Sequence, residues 1–336
     1  ELAARAQVLK VGGLTVSVDG TKILACASKH RAMSYGHVEK QLVLAEEQIA
    51  ELLAKAEDAD STPLQDGLSV PEEIKRREDR IAKIKVAKTE MEERAQARYE
   101  EEKAAHKEKL EQREAKEKSS DRKTRGKKPK APEEGPRAKD QYNFTDPESR
   151  IMKSGGSFEQ CFNAQAGVEV DTMLVVGQHV CNAPNDKEQL EPTVASISPV
   201  IGRVSKVLAD SGYYSEKAVT TVEEGENGPM VYTAMKRHGH GRSIAQLEKR
   251  EDPAAPPHGA PVPEVMAHRL ETKEGKDLYA KRKETVEPVF GIIKGALGFH
   301  RFQLRGLEKV NLEWTLMTTS YNLKRLFNLG MRLKGA

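Results

Sequence analysis

Cysteine is scarce in this chain: Cys26, Cys161 and Cys181 are the only three, with no CxxC pair and no His-Cys cluster. That excludes a disulfide framework and a Cys/His zinc site, and it points to a reducing, cytoplasmic setting. Aromatic residues are few as well, 5% of 336 residues, with Trp314 the single tryptophan. No apolar run approaches the roughly 20 residues that a membrane helix requires, and the N-terminal stretch lacks the charged, apolar and small-residue order of a signal peptide. The expectation is a soluble intracellular protein with no membrane partner. An excess of one charge is also missing, since the net charge is only +3. The overall balance therefore does not dictate a nucleic-acid partner, and local charge distribution has to make that case.

What is present is charge of both signs, 32% of residues against 37% hydrophobic, so part of the chain lies outside a packed core. Residues Leu14 to Asp19 alternate and are β-branched, with glycines on both sides, which predicts a short strand with Asp19 at its carboxyl end. Asp19-Gly20 also reads as a simple turn. From Val38 to Asp58, Leu42, Ala45, Ile49, Leu52 and Ala56 recur at helical spacing. Ser69 with Glu72 starts a second, very polar helix that runs to about Lys118 on a sparse stripe of Ile74, Ile81, Ile84 and Met91. Together they predict an antiparallel helical hairpin. Ser119 to Lys139 mixes proline, glycine and cations without apolar residues and reads as a disordered basic linker.

A second globular stretch begins near Tyr142. Asn163 to Val170 and Met173 to Cys181 form a predicted hairpin around Asp171-Thr172. Asp186 caps a predicted helix reaching Val200, with Pro192 as an irregularity. Val204 to Asp210 is an apolar strand ending in a carboxylate, followed by Gly212 and Tyr213. Gly228 to Met235 is one more strand. His238 and His240 have no acidic or thiol neighbour and read as loop or phosphate contacts in preference to a metal site. Helices are predicted over Pro263 to Glu271 and Glu274 to Val286, meeting near Gly275. Pro288 predicts a kink or a helix start at Glu287. In the last helix Val310, Trp314, Met317 and Tyr321 form a stripe read as core.

The stretch YAKRKETVEPVFGIIK, from Tyr279 to Lys294, sets a carboxylate, Glu287, on one helix face with Lys294 seven residues later. It resembles the end of the catalytic domain in DDE transposases of bacterial insertion sequences, whose signature is Tyr-x2-Arg-x3-Glu-x6-Lys. Here Tyr279-x2-Arg282 lies one residue further upstream and Lys283 takes the expected Arg position, so either cation can fill that role. DGTKILACAS after Val18, NFTDPESRIMK after Tyr142, FNAQ at Phe162, Asp210-x-Gly212-Tyr213 and FHRFQLRGLEKV at Phe299 resemble segments of one subgroup of those enzymes.

The resemblance implies an α/β, RNase H-like mixed sheet flanked by helices, with a helical-hairpin insertion after the first catalytic strand. Residues 1–35 would hold that strand, 36–118 the hairpin, 119–140 the linker and 141–330 the rest of the catalytic domain. It implies Asp19, Asp210 and Glu287 as catalytic metal ligands for two Mg²⁺ or Mn²⁺ ions. Tyr279, Arg282, Lys283, Lys294, Arg301 and Arg305 would contact double-stranded DNA, at transposon ends and target, with a homodimer on DNA. The usual N-terminal helical domain is not represented, so the chain reads as a fragment, and an inactive remnant acting only through DNA binding or its long helices is the alternative.

Overall fold

The strand Ser157–Glu169 is buried on both faces along most of its length and lies at the centre of the sheet. The structure, a computed structural model, describes residues 13–58, 64–65, 67–120, 128–225, 228–235 and 251–330, with Leu9 and Glu248. His238, His240 and residues 121–127 of the predicted linker lie outside the described residues. The chain divides into two compact units, one of residues 1–29 and 148–336 and the other of residues 30–147.

The first unit is built on a six-stranded mixed sheet. Its strands are β1 (Leu14–Leu24), β4 (Arg150–Ser154), β5 (Ser157–Glu169), β6 (Val175–Cys181), β7 (Val204–Ala209) and β8 (Met230–Thr233). The order is β4-β5-β1-β7-β8, with β6 also pairing with β5. β1 is the pivot: it runs antiparallel to β5 and parallel to β7. Alternation along β1 sends Val16 and Val18 into one apolar layer and Ile23 into the other.

The helices follow from apolar periodicity and their caps. α3 (Leu190–Ala195) and a 3₁₀ turn at Pro199–Ile201 replace the longer helix predicted from Asp186. Pro192 falls within the first turn of α3, where a missing N–H is tolerated. α4 (Glu216–Glu224) is capped by the Ser215 side chain, which accepts from the Ala218 N–H. α5 (Val262–Glu271) and α6 (Lys273–Gly291) meet at Thr272, whose hydroxyl caps α6 at Gly275. Glu287 does not start a helix: α6 continues through Pro288 and passes into a π-helical turn at Ile292–Ala296. Proline removes one donor, and the buried Val286, Val289, Phe290 and Ile293 hold the helix on the sheet regardless. α7 (Leu307–Asn328) buries Val310, Trp314 and Tyr321, as the stripe predicts, and its Asn311 and Asn322 bond the main chain of β6 at Val180 and Val175.

The second unit is the helical insertion. α1 (Tyr35–Glu57) and α2 (Val70–Ser120) exchange the contacts Glu39–Lys88, Gln41–Arg80 and Gln48–Arg77, an order that makes them antiparallel. A small cluster of Val38, Ile84, Ala87, Met91 and Tyr142 joins them to the short ribbon of β2 (Ala32–Ser34) and β3 (Gln141–Asn143). Past this cluster α2 has little to bury. Ion pairs of Arg98 with Asp140 at 2.9 Å and Glu102 with Arg137 at 3.0 Å lay residues from 128 onward along it, where the sequence alone predicted an unstructured linker.

Candidate active site

Parallel pairing brings two distant aspartates together. The last paired residues of β1 and β7 are Val18 and Ala209, so Asp19 and Asp210 emerge side by side. Asp19 is not at the end of its strand, as Asp-Gly suggested. β1 runs on to Leu24, because β5 still pairs with it after β7 has stopped. Each carboxylate accepts the N–H of a nearby glycine, Asp19 from Gly20 at 2.8 Å and Asp210 from Gly212. A Cβ at Gly212 would lie 2.8 Å from Asp210 Oδ1, so glycine allows this close approach.

α6 closes the site from above. Arg282 Nη1 stands 3.7 Å from Asp19 Oδ2, its guanidinium lies over the Tyr279 ring at 5.8 Å from the centroid, and its Nε is buried without a partner. Burial pushes the Asp19 carboxyl up to about 6; the Gly20 N–H and Arg282 pull it down, while Asp210 and Asp186 add to the rise. Burial likewise raises the Tyr279 phenol, with Arg282 opposing and Asp210 adding to it. Of the two cations left open by the sequence, Arg282 is the one turned to Asp19, and Lys283 is exposed.

Lys294 is turned inward. Its ammonium donates to Thr21 Oγ1 at 2.6 Å and to the Lys22 carbonyl at 3.0 Å, and half-burial lowers its pKa. Arg301 and Arg305 donate to the Ala25 and Cys26 carbonyls just beyond β1. Glu287 is exposed and makes no hydrogen bond or ion pair among the described residues.

Behind β1 lies a polar cluster that sequence reasoning missed. Asp186 precedes α3 instead of capping it, and its Oδ1 accepts from Asn163 at 2.7 Å, Gln165 at 2.8 Å and Lys22 at 3.4 Å. Gln165 Oε1 in turn accepts from the fully buried Tyr213 hydroxyl, which burial first and then Asp186, Asp19 and Asp210 hold well above the ordinary phenol range. The signal was available: two amides at i and i+2 on a buried strand require partners on one face.

Asp19 and Asp210 are hard oxygen donors on neighbouring strands, and a carboxyl resisting ionisation by burial is one that a divalent cation would ionise. They fit as two donors of a metal centre. Glu287 is not brought to them, and among the described residues no group of three or more His, Cys, Asp or Glu could hold a metal ion. No helix among the described residues is long and apolar enough to cross a membrane.

Residues 120–323, more than half of the chain, match the family model described as a transposase DDE domain. The match includes Asp210 and the whole of α6, whereas Asp19 precedes it. No curated protein and no solved structure matches the chain.

Proposed function

Because the chain belongs to the transposase DDE domain family, we propose that it cleaves DNA strands at the ends of an insertion sequence and joins them to a target. The observation that carries this reading is the parallel register Val18–Ala209, which sets Asp19 beside Asp210 under Arg282 and Tyr279. Asp19 and Asp210 would hold Mg²⁺ or Mn²⁺; Glu287, exposed on α6 in this structure, would have to move to them to serve as the third ligand. Bound there, a pair of such ions supplies Lewis-acid stabilisation and an activated oxygen nucleophile for in-line attack on a phosphodiester.

The protein's own groups do the rest. Arg282 compensates the Asp19 charge before substrate arrives, and the Gly20 and Gly212 N–H groups fix the two carboxylates in direction. The exposed Lys283, Arg301 and Arg305, together with the more buried Tyr279, Arg282 and Lys294, are proposed to grip the DNA backbone, contacts that position the duplex without reading its sequence. A homodimer on DNA, one subunit per end, completes the proposal.

The exposed position of Glu287 favours a second reading, a DNA-binding protein without catalysis. Mn²⁺-dependent nicking of supercoiled DNA by the wild type beside its Asp210→Asn variant separates the two. Loss of nicking in the variant, with DNA binding retained, supports the transposase. Equal nicking by both refutes the assignment of Asp210, and DNA binding without nicking by either leaves the second reading.

A further inference from the structure

α7 has two apolar faces, and only one is used. Val310, Trp314 and Tyr321 face the core, while on the far side Leu312 is 58% exposed, Leu316 69%, Leu323 50% and Phe327 77%. At about 100° per residue these four fall within an arc of about 60°, roughly opposite Trp314. Isolated exposed apolar side chains are ordinary, but a continuous row marks an interaction surface.

The arrangement of the row identifies its occupant. Two i, i+4 ridges lie side by side, Leu312–Leu316–Ser320 and Thr319–Leu323–Phe327. Each reads as two large apolar side chains and one small hydroxyl residue, in opposite directions along the helix. A two-fold axis between Thr319 and Ser320 exchanges the ridges: Leu312 meets Phe327 of a second copy, and Leu316 meets Leu323. Ridges of one helix then enter grooves of the other, as helix packing requires. Self-complementarity of this kind is what an isologous contact needs and what an unrelated partner does not.

The small residues at the centre suit burial. Thr319 Oγ1 already donates to the Thr315 carbonyl at 2.7 Å, and Ser320 Oγ to that of Leu316 at 2.9 Å. Covering them leaves no unsatisfied donor. Glu313 is turned aside, accepting the Gln303 and Leu304 N–H groups, so its charge does not oppose closure.

We propose that this face of α7 pairs with the same face of a second copy of the chain, antiparallel about Thr319 and Ser320. Four such side chains offer on the order of 400–500 Å² per copy, against about 800 Å² per partner in stable complexes. The pairing is therefore weak in dilute solution and grows with concentration. It does not depend on catalysis, so loss of the transposase reading would leave it standing.

Sedimentation equilibrium over a wide concentration range should show a reversible monomer–dimer equilibrium for the wild type. Leu316→Glu should weaken it at least tenfold while the far-UV spectrum and Tm stay unchanged, because the side chain is exposed. The direction of pairing is read by cross-linking in a background carrying Cys26→Ser and Cys181→Ser. Separately purified Thr319→Cys and Ser320→Cys chains should form a mixed disulfide dimer on oxidation. Leu312→Cys alone should not, since antiparallel pairing holds the two copies of that position about 22 Å apart at 1.5 Å per residue. A wild type that stays monomeric throughout, an equilibrium untouched by Leu316→Glu, or a Leu312→Cys chain that cross-links to itself would each overturn the proposal.

Discussion

The guanidinium of Arg282 stands 3.7 Å from the Asp19 carboxylate, yet Asp19 is held up to about 6 and not below its ordinary 3.8. Burial outweighs the ion pair. At this separation the contact lacks the short, bidentate geometry that gives an Arg–carboxylate pair its strength, and the neighbouring Asp210 and Asp186 work against ionisation. The site thus stores a carboxyl that gives up its proton reluctantly.

This has a consequence for stability against pH. The unfolded chain releases the Asp19 proton near 3.8, while the folded chain keeps it until about 6. Between those values the native state binds more protons, so stability falls as pH rises through the window. A shift of this size corresponds to about 3 kcal/mol. Asp19→Asn should remove that decline, which calorimetric Tm values of the two proteins between pH 4 and 7, without divalent ions, would check. Parallel pH profiles would contradict the burial of Asp19.

Gly20→Ala should destabilise the protein by about 1–3 kcal/mol through overpacking. A Cβ there would lie 2.7 Å from Asp186 Oδ1 and 2.9 Å from Asn163 Oδ1, and closer still to the Gln165 amide. Asn163 and Gln165 are fully buried and already bonded, so neither can step aside. Urea unfolding measures the loss, and an unchanged midpoint would show that the cluster is looser than its geometry implies.

Removal of the acceptor is a separate test of the same cluster. Asp186→Ala strands donors of Lys22, Asn163 and Gln165, at a cost of about 3 kcal/mol in all. Asp186→Asn keeps an oxygen for them and should cost less than half as much. Equal losses in the two variants would mean that charge, and not hydrogen bonding, is what the cluster requires.

Lys294→Ala should act twice. Its bonds to Thr21 and the Lys22 carbonyl latch the π-helical turn after α6 to β1, and their loss should lower stability by about 1–2 kcal/mol. If the same ammonium also meets DNA, binding weakens for all sequences alike and the slope of log K against log salt falls by about one unit. Reduced stability with an unaltered salt slope would make Lys294 a latch only.

Local signals in the sequence anticipate where Asp19 and Asp210 stand in the sheet and misjudge other features for identifiable reasons. Asp210 was legible because an apolar strand, a carboxylate, a glycine and an aromatic follow one another within a few residues. Asp19 was found, but its strand was cut short, since Asp-Gly imitates a turn and the partner that extends β1 lies about 145 residues away in β5. Asp186 reads as a helix cap in the sequence because its amide partners, Asn163 and Gln165, lie on β5, 23 and 21 residues earlier. Pro288 allows a helix start at Glu287, but packing of Val286, Val289 and Phe290 keeps α6 continuous through it. The hairpin of β5 and β6 is readable from two apolar runs on either side of the Asp171-Thr172 turn, and the core stripe of α7 from its period.

The register that joins β1 to β7 also sets a timetable. Ala209 is made 191 residues after Val18 (209 − 18). At about 5–20 residues per second of synthesis, roughly 10–40 s separate the two. During that interval β1 can find β5 but not β7, while α1 and α2, whose contacts are closer in sequence, have time to zip together. Asp19 therefore waits on the ribosome without Asp210, and the pair is completed only when the second half of the sheet is delivered.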